Sequence, residues 1–135
     1  MHKARDTRLD RYVAIKVSHE QFSERFEREA RAIAGLNHPH ICTLYDIGPN
    51  YLVMELLEGE TLATRIKSGA LPVKLTLQVA IETADAIDRA HRARVLHRDI
   101  KPNNIMLTRD GVKVLDFGLA KSIAKTPASD DVTLT

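Results

Sequence analysis

The sequence predicts an α+β fold in two parts, a sheet-rich segment up to about residue 57 and a helical segment beyond it. Three observations carry that expectation. Apolar and other residues alternate along Tyr12-Val13-Ala14-Ile15-Lys16-Val17, as they do in a strand. Two further β-rich runs, Ile41 to Ile47 and Tyr51 to Leu56, flank the hairpin punctuation Gly48-Pro49-Asn50. After Glu58-Gly59-Glu60 breaks that pattern, Leu75, Val79, Ala84 and Ile87 recur at helical spacing, so a long helix is expected to reach about His91 with those residues inward.

Taken in order, the first strand places Val13, Ile15 and Val17 on one face and Ala14 and Lys16 on the other, with Lys16 directed at a cavity. From about Ser23 to Leu36, Phe26, Ala30, Ile33 and Leu36 form a helical stripe, and Gly35, Asn37 and Pro39 stop it. Glu29 falls on or beside that stripe, where a carboxylate needs a cation to offset its desolvation. Thr61 is suited to cap a short helix running through Lys67. Farther on, Ile105 to Thr108 and Val112 to Leu115 are short strands separated by Arg109-Asp110-Gly111, and the Asp-Gly pair predicts a tight hairpin. A hairpin there sets Asn104, before its first strand, beside Asp116, after its second.

Composition narrows the partners. The 135 residues are 44% hydrophobic and 28% charged, with a net charge of +2 and both signs interspersed, so nothing calls for nucleic acid or an anionic membrane. One cysteine, Cys42, allows no intrachain disulfide and fits a reducing compartment, the cytoplasm by default. The most apolar stretch, Tyr51 to Leu57, contains Glu55 and is far shorter than the roughly 20 residues of a membrane span. The start, Met1 to Asp6, has no apolar signal core. His38, His40 and Cys42 lack an apparent fourth ligand for zinc.

An amide oxygen and a carboxylate side by side are hard ligands suited to Mg²⁺ that completes its shell with water and phosphate. Upstream, the run His97-Arg98-Asp99-Ile100-Lys101-Pro102-Asn103-Asn104 adds a second carboxylate and a lysine. These are the groups that accept a hydroxyl proton and neutralise a transferring phosphoryl group. Together with Val13-Ala14-Ile15-Lys16 and Asp116-Phe117-Gly118, in this order and spacing, the chain resembles a eukaryotic-type serine/threonine protein kinase of the kind also widespread in bacteria. VAIK or DFG alone would be weak signals; the eight-residue loop before a hairpin that ends in DFG is specific.

The resemblance implies a partial two-lobe kinase fold, with residues 1–54 in the N-lobe, 55–60 as hinge and 61–135 as the start of the C-lobe. It implies ATP and Mg²⁺ as cofactors and a protein with Ser or Thr as substrate. Lys16 would hold the α- and β-phosphates and pair with Glu29, Asp99 would be the base, Lys101 would touch the γ-phosphate, and Asn104 and Asp116 would hold Mg²⁺. Met54 would be the gatekeeper, the backbones of Glu55 and Leu57 would bond adenine, and Ala14 and Met106 would pack on its faces. Ile33, Leu44, His97 and Phe117 resemble the apolar spine between lobes. Arg98 would receive a phosphorylated residue, with Thr126, Ser129, Thr133 and Thr135 as candidates.

The family's pattern is also incomplete here. All six glycines lie at or after Gly35, so no glycine-rich loop precedes VAIK, no Ala-Pro-Glu motif follows Gly118, and Arg94 stands where the family usually has glycine. Because phosphoryl transfer depends on positioning and preorganised charge, a chain truncated at both ends of the domain is expected to lose much of its rate. A catalytically dead nucleotide- or partner-binding fragment is the alternative expectation, and a small-molecule phosphotransferase fits less well because Lys101-Pro102 follows Asp99. The long helix is expected to expose an apolar patch.

Overall fold

The computed structural model describes residues 1–117 and Leu119. Its first hairpin joins β1 (His2–Asp6) to β2 (Arg11–Val17), with Ala4 opposite Val13. The Asp6 carboxylate closes the turn by accepting the backbone N–H groups of Arg8 and Leu9 at 3.0 and 3.2 Å. Asp10 completes it at φ 49°, a conformation aspartate tolerates. β1 has no apolar alternation of its own and takes its register from β2.

Ser23 starts α1 (Glu24–Ala34) by accepting the Phe26 N–H at 3.1 Å, one of the orphan donors of a helix start. Phe26, Ala30 and Ile33 turn inward as their spacing predicts, and Leu36 is buried just past the helix. β3 (Leu44–Ile47) and β4 (Tyr51–Glu55) complete an antiparallel sheet of order β1-β2-β4-β3. β3 begins later than the apolar run from Ile41 suggests. The preceding backbone is engaged elsewhere: Val114 N–H donates to the His40 carbonyl (2.8 Å) and Cys42 N–H to the Val114 carbonyl (3.0 Å), so Ile41 bridges to the other sheet.

That second sheet has the order β5 (Gly59–Thr61), β6 (Ile105–Thr108), β7 (Gly111–Val114). β5 falls where the sequence reads as a break, because three residues with one glycine give no period. Gly59, at φ 151°, passes so close to β6 that a Cβ would stand 2.1 Å from the Leu107 carbonyl oxygen. Thr61 then caps α2 (Leu62–Ile66), accepting the Thr64 N–H at 3.1 Å. In the β6–β7 hairpin Gly111 pairs with Thr108, so Arg109 and Asp110 form the turn and Gly111 belongs to the strand.

α3 (Val73–Arg92) packs on β7 and buries Val79, Ala86 and Ala90, with Leu75 partly covered. Ala84, expected inward, is exposed: at 100° per residue it lies roughly 140° round the helix from Val79. Val73, Leu77 and Ile81 share that outer side and are 76%, 57% and 67% exposed. The helix thus has two apolar faces, and one of them is covered among the described residues. A single core runs through both sheets, including Phe26, Ile33, Ile41, Leu52, Val79 and Val114. No described helix is long and apolar enough to cross a membrane.

Candidate active site

The hairpin predicted from Asp110-Gly111 brings its two ends together. Leu115 N–H donates to the Asn104 carbonyl at 2.9 Å, so Asn104 and Asp116 emerge from neighbouring points of backbone. Asn104 is 6% exposed and uses its side-chain NH₂ on the Asp99 carbonyl (2.9 Å) and carboxylate (3.2 Å). Asp99 N–H donates to His97 Nδ1 at 3.1 Å, and His97 Nε2–H donates to the Leu115 carbonyl. Leu115, Asn104, Asp99 and His97 therefore form a closed circuit of hydrogen bonds.

The circuit fixes the histidine's chemistry. With Nδ1 accepting and Nε2 donating, the ring is satisfied as the neutral tautomer. Burial pushes its pKa below the ordinary imidazole value, while the Leu115 carbonyl, Asp116 and Asp99 act in the opposite sense. Its ring meets Phe117 edge-on with centroids 4.6 Å apart. Ile33, Leu44, His97 and Phe117, grouped in the sequence as a spine, are all buried.

Two residues in this loop system take left-handed backbone, Arg98 at φ 69° and Asp116 at φ 56°. So does Arg94, at φ 59°, in the position singled out because the family usually has glycine there. Lys101 Nζ lies 3.5 Å from the Asp99 carboxylate. Lys16 reaches the site from β2, with Nζ 3.7 Å from Asp116 Oδ1.

The expected Lys16–Glu29 ion pair is not formed. Glu29 lies 3.7 Å from Arg98 and 3.3 Å from Arg25, while Lys16 pairs with Asp116. The carboxylate on the helical stripe does meet cations, as its desolvation requires, but they are Arg25 of the same helix and Arg98 of the loop before Asp99. Glu29, Arg94 and Arg98 also line a cavity of about 80 Å³ between α1 and Phe117. Arg98, expected to receive a phosphorylated residue, is thus partnered by Glu29; Thr126, Ser129, Thr133 and Thr135 lie outside the described residues, as does Gly118.

At the other end, Ala14 pairs across strands with Met54 and is 2% exposed. Met106 pairs with Thr61 on one side and Lys113 on the other. Leu57 is half-buried beyond β4. The Glu55 side chain, which sequence reasoning left without a role, lies 3.1 Å from Lys113 and accepts the Thr43 N–H at 3.2 Å. No local spacing signals that contact, since its partners lie 58 residues apart. Burial, with Glu55 and Asp116 adding to it, pushes the Cys42 thiol up to about 12, so it is no thiolate ligand at neutral pH. His38 bonds Asp85 (2.9 Å) and His40 the Val112 carbonyl (2.9 Å), and the described residues hold no cluster of three His, Cys, Asp or Glu.

For Mg²⁺ the donor chemistry fits: Asn104 offers an amide oxygen and Asp116 a carboxylate from adjacent backbone, with the Asp99 carboxylate beside Asn104. A partly buried acid, a lysine and a hard-ligand pair on two hydrogen-bonded loops are the groups that phosphoryl transfer calls for. The family profile of the protein kinase domain matches residues 1–135, and the chain belongs to that family. A probable serine/threonine-protein kinase of Clostridium perfringens, CPE1738, is 43% identical over 135 residues, covering 91% of this chain and 20% of that protein. Serine/threonine-protein kinase PknA of Mycobacterium tuberculosis is 42% identical, covering 94% of this chain and 33% of its own length. The chain thus spans between a fifth and a third of these two relatives. Among solved structures, the Mycobacterium tuberculosis PknI kinase domain superposes with a TM-score of 0.77 at 28% identity, covering 93% of this chain and 54% of that one. Rad53 1-466, in complex with AMP-PNP, gives 0.73 at 30% identity over 87% of this chain and 34% of its own.

Proposed function

We propose that this chain carries the nucleotide-, metal- and base-bearing part of an ATP-dependent serine/threonine protein kinase. The observation that supports the reading is the hydrogen-bonded circuit that joins Asp99 to Asn104 and Asn104 to Leu115, the residue before Asp116. In this reading residues 1–54 act as the N-lobe, 55–60 as the hinge and 61–135 as the start of the C-lobe. Asp99 accepts the proton of a substrate hydroxyl, held toward it by Asn104. Lys101 and Lys16 offset phosphate charge, and Asn104 and Asp116 supply the oxygen ligands; Glu29, paired with Arg98 and Arg25, does not hold Lys16. Bound Mg²⁺ would neutralise phosphate charge. Met54, Leu57, Ala14 and Met106, with the Glu55 backbone, form the adenine slot. Transfer of the γ-phosphoryl group to a protein Ser or Thr hydroxyl, and a cytoplasmic setting where ATP is plentiful, complete the assignment.

The pairing of Glu29 with Arg98 in place of Lys16 favours a second reading, a chain that binds nucleotide or a partner without catalysis. One pair of measurements separates them. Mg²⁺-ATP is expected to raise the melting temperature of the wild-type chain and not of Asp116→Asn. Transfer of label from γ-labelled ATP to a Ser/Thr-containing protein, lost in Asp99→Ala with the melting shift retained, establishes the kinase reading. A shift without transfer establishes the second in its nucleotide-binding form, and no shift overturns every nucleotide-binding reading and leaves only partner binding.

A further inference from the structure

Lys113 is a largely covered lysine that none of the phosphate-binding roles uses. Its side chain is 14% exposed and Nζ sits 3.1 Å from Glu55 Oε1 and 3.4 Å from Oε2. Ordering a long cationic side chain there costs rotamer entropy and desolvation, and such a pair is weak evidence for stability as such. What the contact does geometrically is specific. Glu55 closes β4 and Lys113 lies on β7, so the ion pair joins one sheet to the other.

Glu55 is held at both its carboxylate and its backbone, whose carbonyl lies 3.7 Å from Cys42 Sγ. Its carboxylate takes Lys113 and the Thr43 N–H (3.2 Å), and its own N–H donates to the Thr43 carbonyl (2.9 Å). Lys113 is the direct cross-strand neighbour of Met106, and residues so paired share a face of the hairpin. One end of the ion pair therefore carries the backbone edge assigned to adenine, and the other adjoins the side chain assigned to its floor.

We infer that Lys113 is a positioning residue for the purine end of the nucleotide site: through Glu55 it sets the spacing between the β4 edge and the Met106 floor. This rests on the nucleotide-site reading above. A charge pair that only stabilised the fold would affect every ligand alike, whereas a spacer of the purine slot affects only ligands with a purine.

The test measures binding of Mg²⁺-ADP and of Mg²⁺-tripolyphosphate by calorimetry to the wild-type chain, Lys113→Met, Lys113→Arg and the double variant Glu55→Gln/Lys113→Met, each checked for folding by circular dichroism. Lys113→Met is expected to weaken Mg²⁺-ADP by about tenfold, a typical coupling between linked sites. Tripolyphosphate affinity stays unchanged and Lys113→Arg restores ADP binding. The double variant, which leaves no lone carboxylate and so guards against simple misfolding, is expected to show the same selective loss. Equal weakening of both ligands, no weakening of either, or wild-type ADP affinity in the double variant overturns the inference. A wild-type chain that binds neither ligand overturns the nucleotide-site reading itself, a result visible before any variant is compared.

Discussion

Asn104→Asp swaps an amide for a carboxylate of the same shape at the point where the two loops of the site meet. In the native chain the Asn104 NH₂ stands 3.2 Å from Asp99 Oδ2 and 2.9 Å from the Asp99 carbonyl. The variant sets two negative charges at that 3.2 Å separation. At an effective dielectric of about 20 their repulsion is about 5 kcal/mol. Lys101 at 3.5 Å and the 27% exposure of the Asp99 side chain reduce it, and roughly 2–3 kcal/mol of stability is the expected loss at pH 7. Two close carboxylates cannot both ionise freely, so one pKa of the pair rises above its unfolded value. A group of that kind contributes stability below its unfolded pKa and loses it as pH rises, so the defect should shrink in acid. Urea unfolding of both proteins at pH 7 and near pH 4 reads it directly. Equal stability at pH 7, or a defect that does not shrink at low pH, would show that the amide does not face Asp99 and would refute the geometry of the site.

Gly59→Ala places a methyl group 2.1 Å from the Leu107 carbonyl oxygen at φ 151° and is expected to cost more than about 2 kcal/mol by displacing β5; a melting curve matching wild type would contradict that approach. His97 is held neutral by burial, its pKa below the ordinary value, whereas the unfolded chain takes up a proton near pH 6.5. Its contribution is fully present above that pH and is lost as pH falls toward the folded value. The pH 7.5 to 5 stability slope of His97→Asn should therefore be shallower than that of wild type, and parallel slopes would exclude the role.

What the sequence made legible was whatever depends on near neighbours. Thr61 caps the helix expected of it, α1 starts just after Ser23 where its stripe begins, and the Asp110-Gly111 signal located a hairpin whose ends meet. Illegible were features decided at a distance. β5 has no period because its register comes from β6, and β3 is shortened because Val114 takes the backbone from His40 to Cys42. α3 misled the eye because apolar residues occupy two of its faces, and only packing against β7 selects Val79 and Ala86 over Ala84. In the site, the need of Glu29 for a cation was legible and its choice was not: Lys16, Arg25 and Arg98 are equally cationic, and their placement by β2, α1 and the loop before Asp99 decided the pairing.

The hydrogen-bonded circuit also accounts for the strain around it. Left-handed backbone costs an ordinary L-residue roughly 1–2 kcal/mol, and Arg98 and Asp116 both adopt it. Arg98 lies between His97 and Asp99, two members of the circuit, and Asp116 follows a third, Leu115. Relaxing either residue would turn the adjoining peptide groups and open a bond that several others depend on, so the strain persists because the surroundings over-determine it. The same constraint aims the side chains. Asp99, Asn104 and Asp116 are members of the circuit or adjoin one, and their side chains leave a backbone that cannot rotate independently. Preorganisation of this kind is what a reaction dominated by electrostatics requires. It is supplied here by four hydrogen bonds, while the cations Lys16, Arg98 and Lys101 reach in on longer arms, two of them, Arg98 and Lys101, about half exposed.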